Sequence, residues 1–117
     1  MKETPFKTKV ENILNKYNAW FIKYWAGSKF TKEGIPDILA CINGKFYGIE
    51  LKGDNGHPTL LQLVTLRNIR RANGIGILLY PKDLDCFIRL IEEDALGDYW
   101  YRENKTMQKE WFNKLSL

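Results

Sequence analysis

Two acids and a lysine stand at a spacing that lets them act together. In "PDILACINGKFYGIELKGDNGHPT" (36–59) the pair Asn43-Gly44 is a two-residue hairpin signal, a turn that needs positive φ at both positions. The turn sets Ile42 against Lys45. Five positions back along each strand, Asp37 then faces Glu50 in a non-hydrogen-bonded pair, the closer kind, with Cβ atoms roughly 4.5–5.5 Å apart. Tyr47, Ile49 and Leu51 alternate as the inward face, which leaves Gly48, Glu50 and Lys52 on the other. Like charges directly opposite one another destabilise a hairpin, and a bound cation would offset that. Mg²⁺ characteristically takes one or two carboxylates together with phosphate oxygens and waters. An ammonium beside it can place a water or stabilise an anionic transition state. The set suits phosphodiester hydrolysis.

The competing reading is three solvated residues at the open end of a hairpin. Three features weigh against it: the opposed acids, the gap at Gly48, and apolar neighbours that mark a central strand. A glycine inside a strand often signals close approach by a ligand or another backbone.

The elements that must position these residues follow from periodicity. Phe6, Val10, Ile13, Leu14 and Tyr17 form one stripe of an amphipathic helix. "AWFIKYWA" (19–26) reads as a strand, 36–42 as a second with Pro36 at its start, and "KFYGIELK" as the returning third. A helix is predicted from about residue 59 with Pro58 near its first turn and Gly74 as its left-handed C′ residue. "IGILLY" is a buried strand, "PKDLDCFIRLIEEDAL" a helix, and the aromatic-rich tail 98–117 ends in another short helix. The order α-β-β-β-α-β plus C-terminal helices predicts an α/β fold, a central mixed sheet of about four strands flanked by helices. The long helix is the crossover that a parallel neighbour requires.

Chain-wide properties narrow the setting. The chain of 117 residues suits a single domain, 1–117, and its 27% charged and 44% hydrophobic residues are those of an ordinary globule. Eighteen Lys and Arg against 14 acids give a net charge of +4, compatible with a polyanionic partner. Cys41 and Cys86 have neither CxxC nor metal-site spacing, so free thiols in a reducing compartment are expected. No hydrophobic leader and no membrane-spanning run is seen, which predicts a cytoplasmic protein without a membrane partner.

"GIPD", twelve residues, then "ELK" resembles the PD-(D/E)XK nuclease signature. The fuller run "KEGIPDILACINGKFYGIELKGDNGHPTLLQ" is similar to the virus-type replication-repair nuclease (VRR-NUC) branch, marked by a Gln in the following helix. The resemblance covers about residues 6–81 and leaves 82–117 as a C-terminal extension. It implies a restriction-endonuclease-like core and a Mg²⁺- or Mn²⁺-dependent DNA endonuclease. It also implies a homodimer acting on branched DNA such as Holliday junctions, in a bacteriophage-infected or prophage-carrying host. Residue by residue, Asp37 and Glu50 become metal ligands, joined by the backbone carbonyl of Leu51. Lys52 becomes the catalytic lysine and Gln62 a catalytic support for it or for the water. Glu11 matches the acid of the first helix that can extend the metal site.

Around that site, Ser28 and Lys29 are candidate phosphate contacts, and Lys32 and Lys45 would add to a basic rim with Arg67, Arg70 and Arg71. His57, the lone histidine, reads as a plain loop residue rather than a general base. Trp100, Tyr101, Trp111 and Phe112 offer material for a dimer interface, with packing on the chain's own sheet as the competing explanation. Two other functions share the motif: a nicking or flap nuclease with the same site, and a nuclease-like fold that grips DNA without cutting.

Overall fold

Phe6, Val10 and Leu14, spaced to share one helical face, are all fully buried, and they seat α1 (Glu3–Lys16) on a four-stranded sheet. The computed structural model describes residues 1–24, 33–103 and 105–114. The strands are β1 (Trp20–Lys23), β2 (Ile38–Ile42), β3 (Lys45–Leu51) and β4 (Ile75–Leu79), and they lie side by side in chain order. The first two pairings are antiparallel and the last is parallel, reached through the crossover helix α2 (Leu60–Arg71). A 3₁₀ turn (Pro81–Asp83) leads into α3 (Leu84–Glu92), and α4 (Gly97–Glu103) and α5 (Lys105–Lys114) complete the chain. This is the predicted α/β plan with a mixed sheet.

The Asn43-Gly44 turn has φ of 52° and 79°, the left-handed pair that a tight hairpin requires. Ile42 pairs with Lys45 and Ile38 with Ile49, so the register is the one the turn dictates. The first strand is shorter than the expected 19–26, and residues 25–32 lie outside the described ones.

Both faces of the sheet are covered, because α1 and α3 pack on one and α2 on the other. Ile38, Ala40, Tyr47, Ile49, Ile77 and Leu79 meet α1, α3 and Trp100 of α4 in the larger core. Leu78 and Tyr80 meet Leu63, Leu66 and Phe112 in the smaller. Central strands buried on both sides lose the clean alternation of an exposed hairpin. Gly48 and Glu50 are therefore buried along with their apolar neighbours.

Two glycines set how closely α2 approaches. A Cβ on Gly48 would stand 2.4 Å from Ile69 Cδ1, so the close approach this glycine signals is made by the crossover helix. A Cβ on Gly76 would stand 2.5 Å from the Leu66 carbonyl oxygen, which is backbone and cannot swing away. At the end of α2, Asn73 rather than Gly74 adopts the left-handed conformation, at φ 68°. Asn tolerates that region, and the following Gly74 amide closes the helix on the Ile69 carbonyl at 2.9 Å.

The tail folds as two helices rather than one, and it packs on its own sheet. Trp100 is completely buried, ring edge against Phe87 with centroids 6.2 Å apart, and Phe112 is 7% exposed. The tail also closes the outer edge of β4. Tyr101 Oη donates to the Gly76 carbonyl at 3.1 Å and accepts from the Gly76 amide at 3.2 Å. Gln108 Nε2 donates to the Leu78 carbonyl at 2.7 Å. The aromatic residues read as dimer material are thus largely spent inside the chain, which is what a bare sheet edge demands.

Gly76→Ala is expected to cost about 1–3 kcal/mol, as overpacking against immovable backbone does. Gly48→Ala should cost less, because only the tip of a flexible isoleucine must move. Thermal melts of the two variants compare them; equal losses would show that Ile69 is as rigid as the helix backbone.

Candidate functional site

Asp37 sits immediately before β2, and three strands meet through it. Its carbonyl accepts the Tyr24 amide at 2.7 Å, just beyond β1, while its carboxylate Oδ2 accepts the Leu51 amide of β3 at 2.9 Å. The β2–β3 ladder stops at Ile38–Ile49, and the next odd-numbered amide of β3, that of Leu51, is turned toward β2. The Asp37 side chain takes it, which holds this carboxylate beside Glu50, the residue predicted to face it. Leu51, whose carbonyl the resemblance enlists, is thereby tied to the same carboxylate.

Glu50 is 2% exposed. Lys52 lies on the same face with its Nζ 3.7 Å from Glu50 Oε2, an ion pair longer than a hydrogen bond. The Lys52 amide extends the β3–β4 ladder by bonding the Leu79 carbonyl at 3.1 Å. The loop that follows folds back on the lysine's stem, and Tyr80 Oη donates to the Gly56 carbonyl at 2.6 Å to hold it there. Burial pushes the Glu50 carboxyl up from 4.5 to about 9, the nearby Asp37 carboxylate adds to that, and Lys52 opposes it in part. Glu50 Oε1 is buried and accepts no hydrogen bond among the described residues, while the protonated carboxyl hydrogen-bonds the Asp37 side chain. A buried polar atom normally has a partner.

Glu3 is the acid of α1 that acts on Glu50. Its charge contributes to raising Glu50, and the first turn of α1 packs on Gly53, where a Cβ would stand 3.0 Å from the Glu3 amide nitrogen. An acid in the first turn of a helix was visible in the sequence as a dipole-matched residue, but nothing local said what the turn would rest on. Glu11 lies eight residues on, roughly 12 Å along the helix axis. It pairs with Lys23 Nζ at 3.0 Å.

Gln62 has a partner other than Lys52. Its Oε1 accepts the Thr59 amide at 2.9 Å while the Thr59 hydroxyl accepts the Gln62 amide at 3.2 Å, a complete capping box at the start of α2. Thr-x-x-Gln before an apolar run was legible as that box. Lys45 sits at the turn end of β3, roughly 17 Å from Glu50 along the strand. It forms an ion pair with Asp94 and donates to that residue's carbonyl at 3.3 Å. Ser28, Lys29 and Lys32 lie outside the described residues. Arg71 is exposed, whereas Arg70 is wedged between the rings of Tyr101 and Phe112, its guanidinium carbon 3.8 and 4.1 Å from their centroids. His57 is a loop residue stacked edge-on to Trp111 at 5.5 Å.

Among the described residues no group of three or more His, Cys, Asp or Glu side chains is placed to hold a metal ion. The donor set here is two carboxylates, one with an oxygen left over. That fits a hard cation which keeps waters and substrate oxygens in its other positions. Among the described residues no helix is long and apolar enough to cross a membrane. No family model, curated protein or solved structure matches the chain.

The protonation of Glu50 makes a pH prediction. Its folded value lies above its ordinary one, so folding takes up a proton between about 4.5 and about 9. The stability contributed is fully present below the lower value and is lost as pH rises through the upper. Glu50→Gln keeps the shape and removes the titration. In EDTA it is expected to melt above the wild type near pH 8, by about 3–5 °C for each kcal/mol relieved. Parallel melting curves for the two proteins across that range would refute a protonated Glu50.

Proposed function

We propose that this chain is a metal-dependent DNA endonuclease of the VRR-NUC type, built on a restriction-endonuclease-like core. The observation that carries the reading is Glu50, a buried carboxylate with an unpartnered oxygen, held beside Asp37 and Lys52 at the open end of a hairpin. The strand burying it is central, so the arrangement is not a solvated hairpin end. A fold keeps such a group at a cost, and a cation-dependent reaction is the use that repays it.

Asp37 and Glu50 would hold Mg²⁺ or Mn²⁺, with the Leu51 carbonyl and Glu3 nearest to extend the set. When bound, such an ion neutralises charge on the phosphoryl group and acidifies a water. With a cation held there, Glu50 would release its carboxyl proton to solvent, and its carboxylate would then balance Lys52. Asp37 is positioned for this by its bond to the Leu51 amide, which restrains its rotation. Lys52 presents a single positive charge beside the reacting phosphate, where negative charge grows as water oxygen adds to phosphorus and the bond to the sugar oxygen breaks. The proton of the attacking water passes to solvent and the departing oxygen gains one. Gln62 supports the helix that roofs the site through its capping box.

The substrate reading is branched DNA, with two copies of the chain cutting as a symmetric pair. The setting is the cytoplasm of a phage-infected or prophage-carrying host. A mild positive charge of +4 favours a polyanion without selecting its shape.

Cleavage of four-way junction, flap, nicked and linear DNA with Mg²⁺ or EDTA tests the reading. Junctions should be cut in the metal-dependent arm only. Asp37→Asn and Glu50→Gln should abolish cutting and leave binding intact, and Asp37→Asn, which removes a negative charge from an anion-binding surface, should tighten it. Lys52→Ala should lower the rate on the order of 10²–10³ without loss of metal affinity. Binding without any cutting would identify a DNA-gripping module instead, and preference for flaps or nicks would reassign the substrate.

Metal-free DNA binding should weaken with salt, by about 0.9 in log K per log unit for each phosphate neutralised on duplex DNA. A flat response in a filter-binding titration would remove nucleic acid as the partner.

A further inference from the structure

At the turn end of β3, remote from Glu50, two cavities meet. The larger, about 500 Å³, is bordered by Lys45, Arg70 and Tyr101 with Phe46 and Leu96 at its wall. The smaller, about 270 Å³, is lined by Ile69, Ala72 and Phe46 and is almost wholly apolar. Phe46, Asn73 and Gly74 border both, so they form one bipartite recess, cationic on one side and greasy on the other.

Arg70 is the group that gives the recess its chemistry. It donates from Nε to the Gly76 carbonyl at 2.8 Å and from Nη2 to Gln108 Oε1 at 2.7 Å. Those partners are neutral, as are the two rings that sandwich it, and no acid lies within ion-pair distance among the described residues. An arginine has five N–H donors, of which these bonds use two and the Tyr101 hydroxyl engages a further one. Arg70 is half-buried, charges withdrawn from water are normally paired, and the aromatic faces compensate this one only in part. Burial lowers the pKa of Arg70, and Tyr101 opposes that shift. Lys45 at the same cavity already has Asp94, so its ammonium adds a donor more than net charge. On the other side, Phe46 is 48% exposed and Leu96 is 68% exposed, large apolar groups that the chain's own packing leaves uncovered.

We propose that this recess binds a nucleotide, its phosphate against Arg70 and Lys45 and its base in the apolar cavity over Phe46. A guanidinium fixed by stacking offers its remaining donors in a planar fork that matches phosphate oxygens. Aromatic rings beside cations are how unpaired nucleotides are held without regard to sequence. Asn73, shared by the two cavities, supplies an amide donor and acceptor where a base edge would lie. The nucleotide can be free or part of an unpaired stretch of a DNA strand. The site is roughly 17 Å from Glu50 along β3, and binding there needs no metal and no cleavage.

The test is a two-dimensional amide NMR titration of the full chain in EDTA with adenosine 5′-monophosphate, a short oligo-dA, inorganic phosphate and acetate. Saturable shifts are expected at residues 44–46 and 73–75 with the monophosphate, weaker ones with phosphate and none with acetate. Phe46→Ala, at an exposed position, should weaken the monophosphate about tenfold, the loss of one base stack. Arg70→Gln should abolish binding; if that variant fails to fold, Phe46→Ala and Lys45→Ala decide. Oligo-dA binding more tightly than the monophosphate assigns the recess to a DNA strand, and equal affinity assigns it to a free nucleotide. No shifts with either nucleotide, acetate binding as well as phosphate, shifts confined to residues 37–52 outside the turn, or unchanged affinity in Phe46→Ala would each overturn the proposal.

Discussion

The hydrogen bond from the Leu51 amide to the Asp37 carboxylate is the constraint on which the candidate site depends. It lies where the β2–β3 ladder has run out, and it substitutes a side chain for the backbone acceptor that the next ladder position would have supplied. Through the same residue, the Tyr24 amide ties the segment just beyond β1 to the start of β2. One aspartate therefore fixes the relative positions of three strands at the sheet's open end. Its unused carboxylate capacity stays beside Glu50, partly open to solvent. An alanine there would release both the acid and the strand end, whereas an asparagine could still accept the amide.

Glu50 occupies an environment that most proteins give to an aliphatic residue. It stands on β3 between β2 and β4, with α2 packed over the same face, and its charge is disfavoured by desolvation first and by Asp37 second. Lys52 is the only described cation within ion-pair distance, and at 3.7 Å it does not hydrogen-bond the acid. A loose pair of this kind offsets the desolvation of the carboxyl only in part. The surrounding core makes that state persist, because Leu51, Leu78 and Leu79 are fully buried beside it in sequence or across the ladder and leave the strand no alternative register.

The far side of the sheet solves a different problem. The outward carbonyls and amide of β4 would form an exposed edge, and Arg70, Tyr101 and Gln108 satisfy them with side chains. The arrangement ties the crossover helix to both tail helices without adding a fifth strand. It also draws an arginine into a place with no acid beside it. Edge closure and the charge of the recess are two consequences of one packing decision.

Much of the site was legible because its determinants are local. A left-handed Asn-Gly pair dictates a two-residue turn, the turn dictates the register, and the period of two then places Asp37, Glu50 and Lys52 on one face. The fold order followed from similar short-range rules, down to the parallel strand after the crossover. Gln62, read as a support for Lys52 or the water, is half of a capping box with Thr59. What the tertiary structure alone decided is which distant surfaces touch. Gly48 and Gly76 are spaces for α2, Glu3 rather than Glu11 bears on Glu50, and Tyr101 and Gln108 of the tail seal β4. Helix and strand periodicities fix the face a residue presents, since they depend on backbone geometry over a few positions. The element that meets that face depends on the packing of the whole chain, which no short stretch of sequence contains.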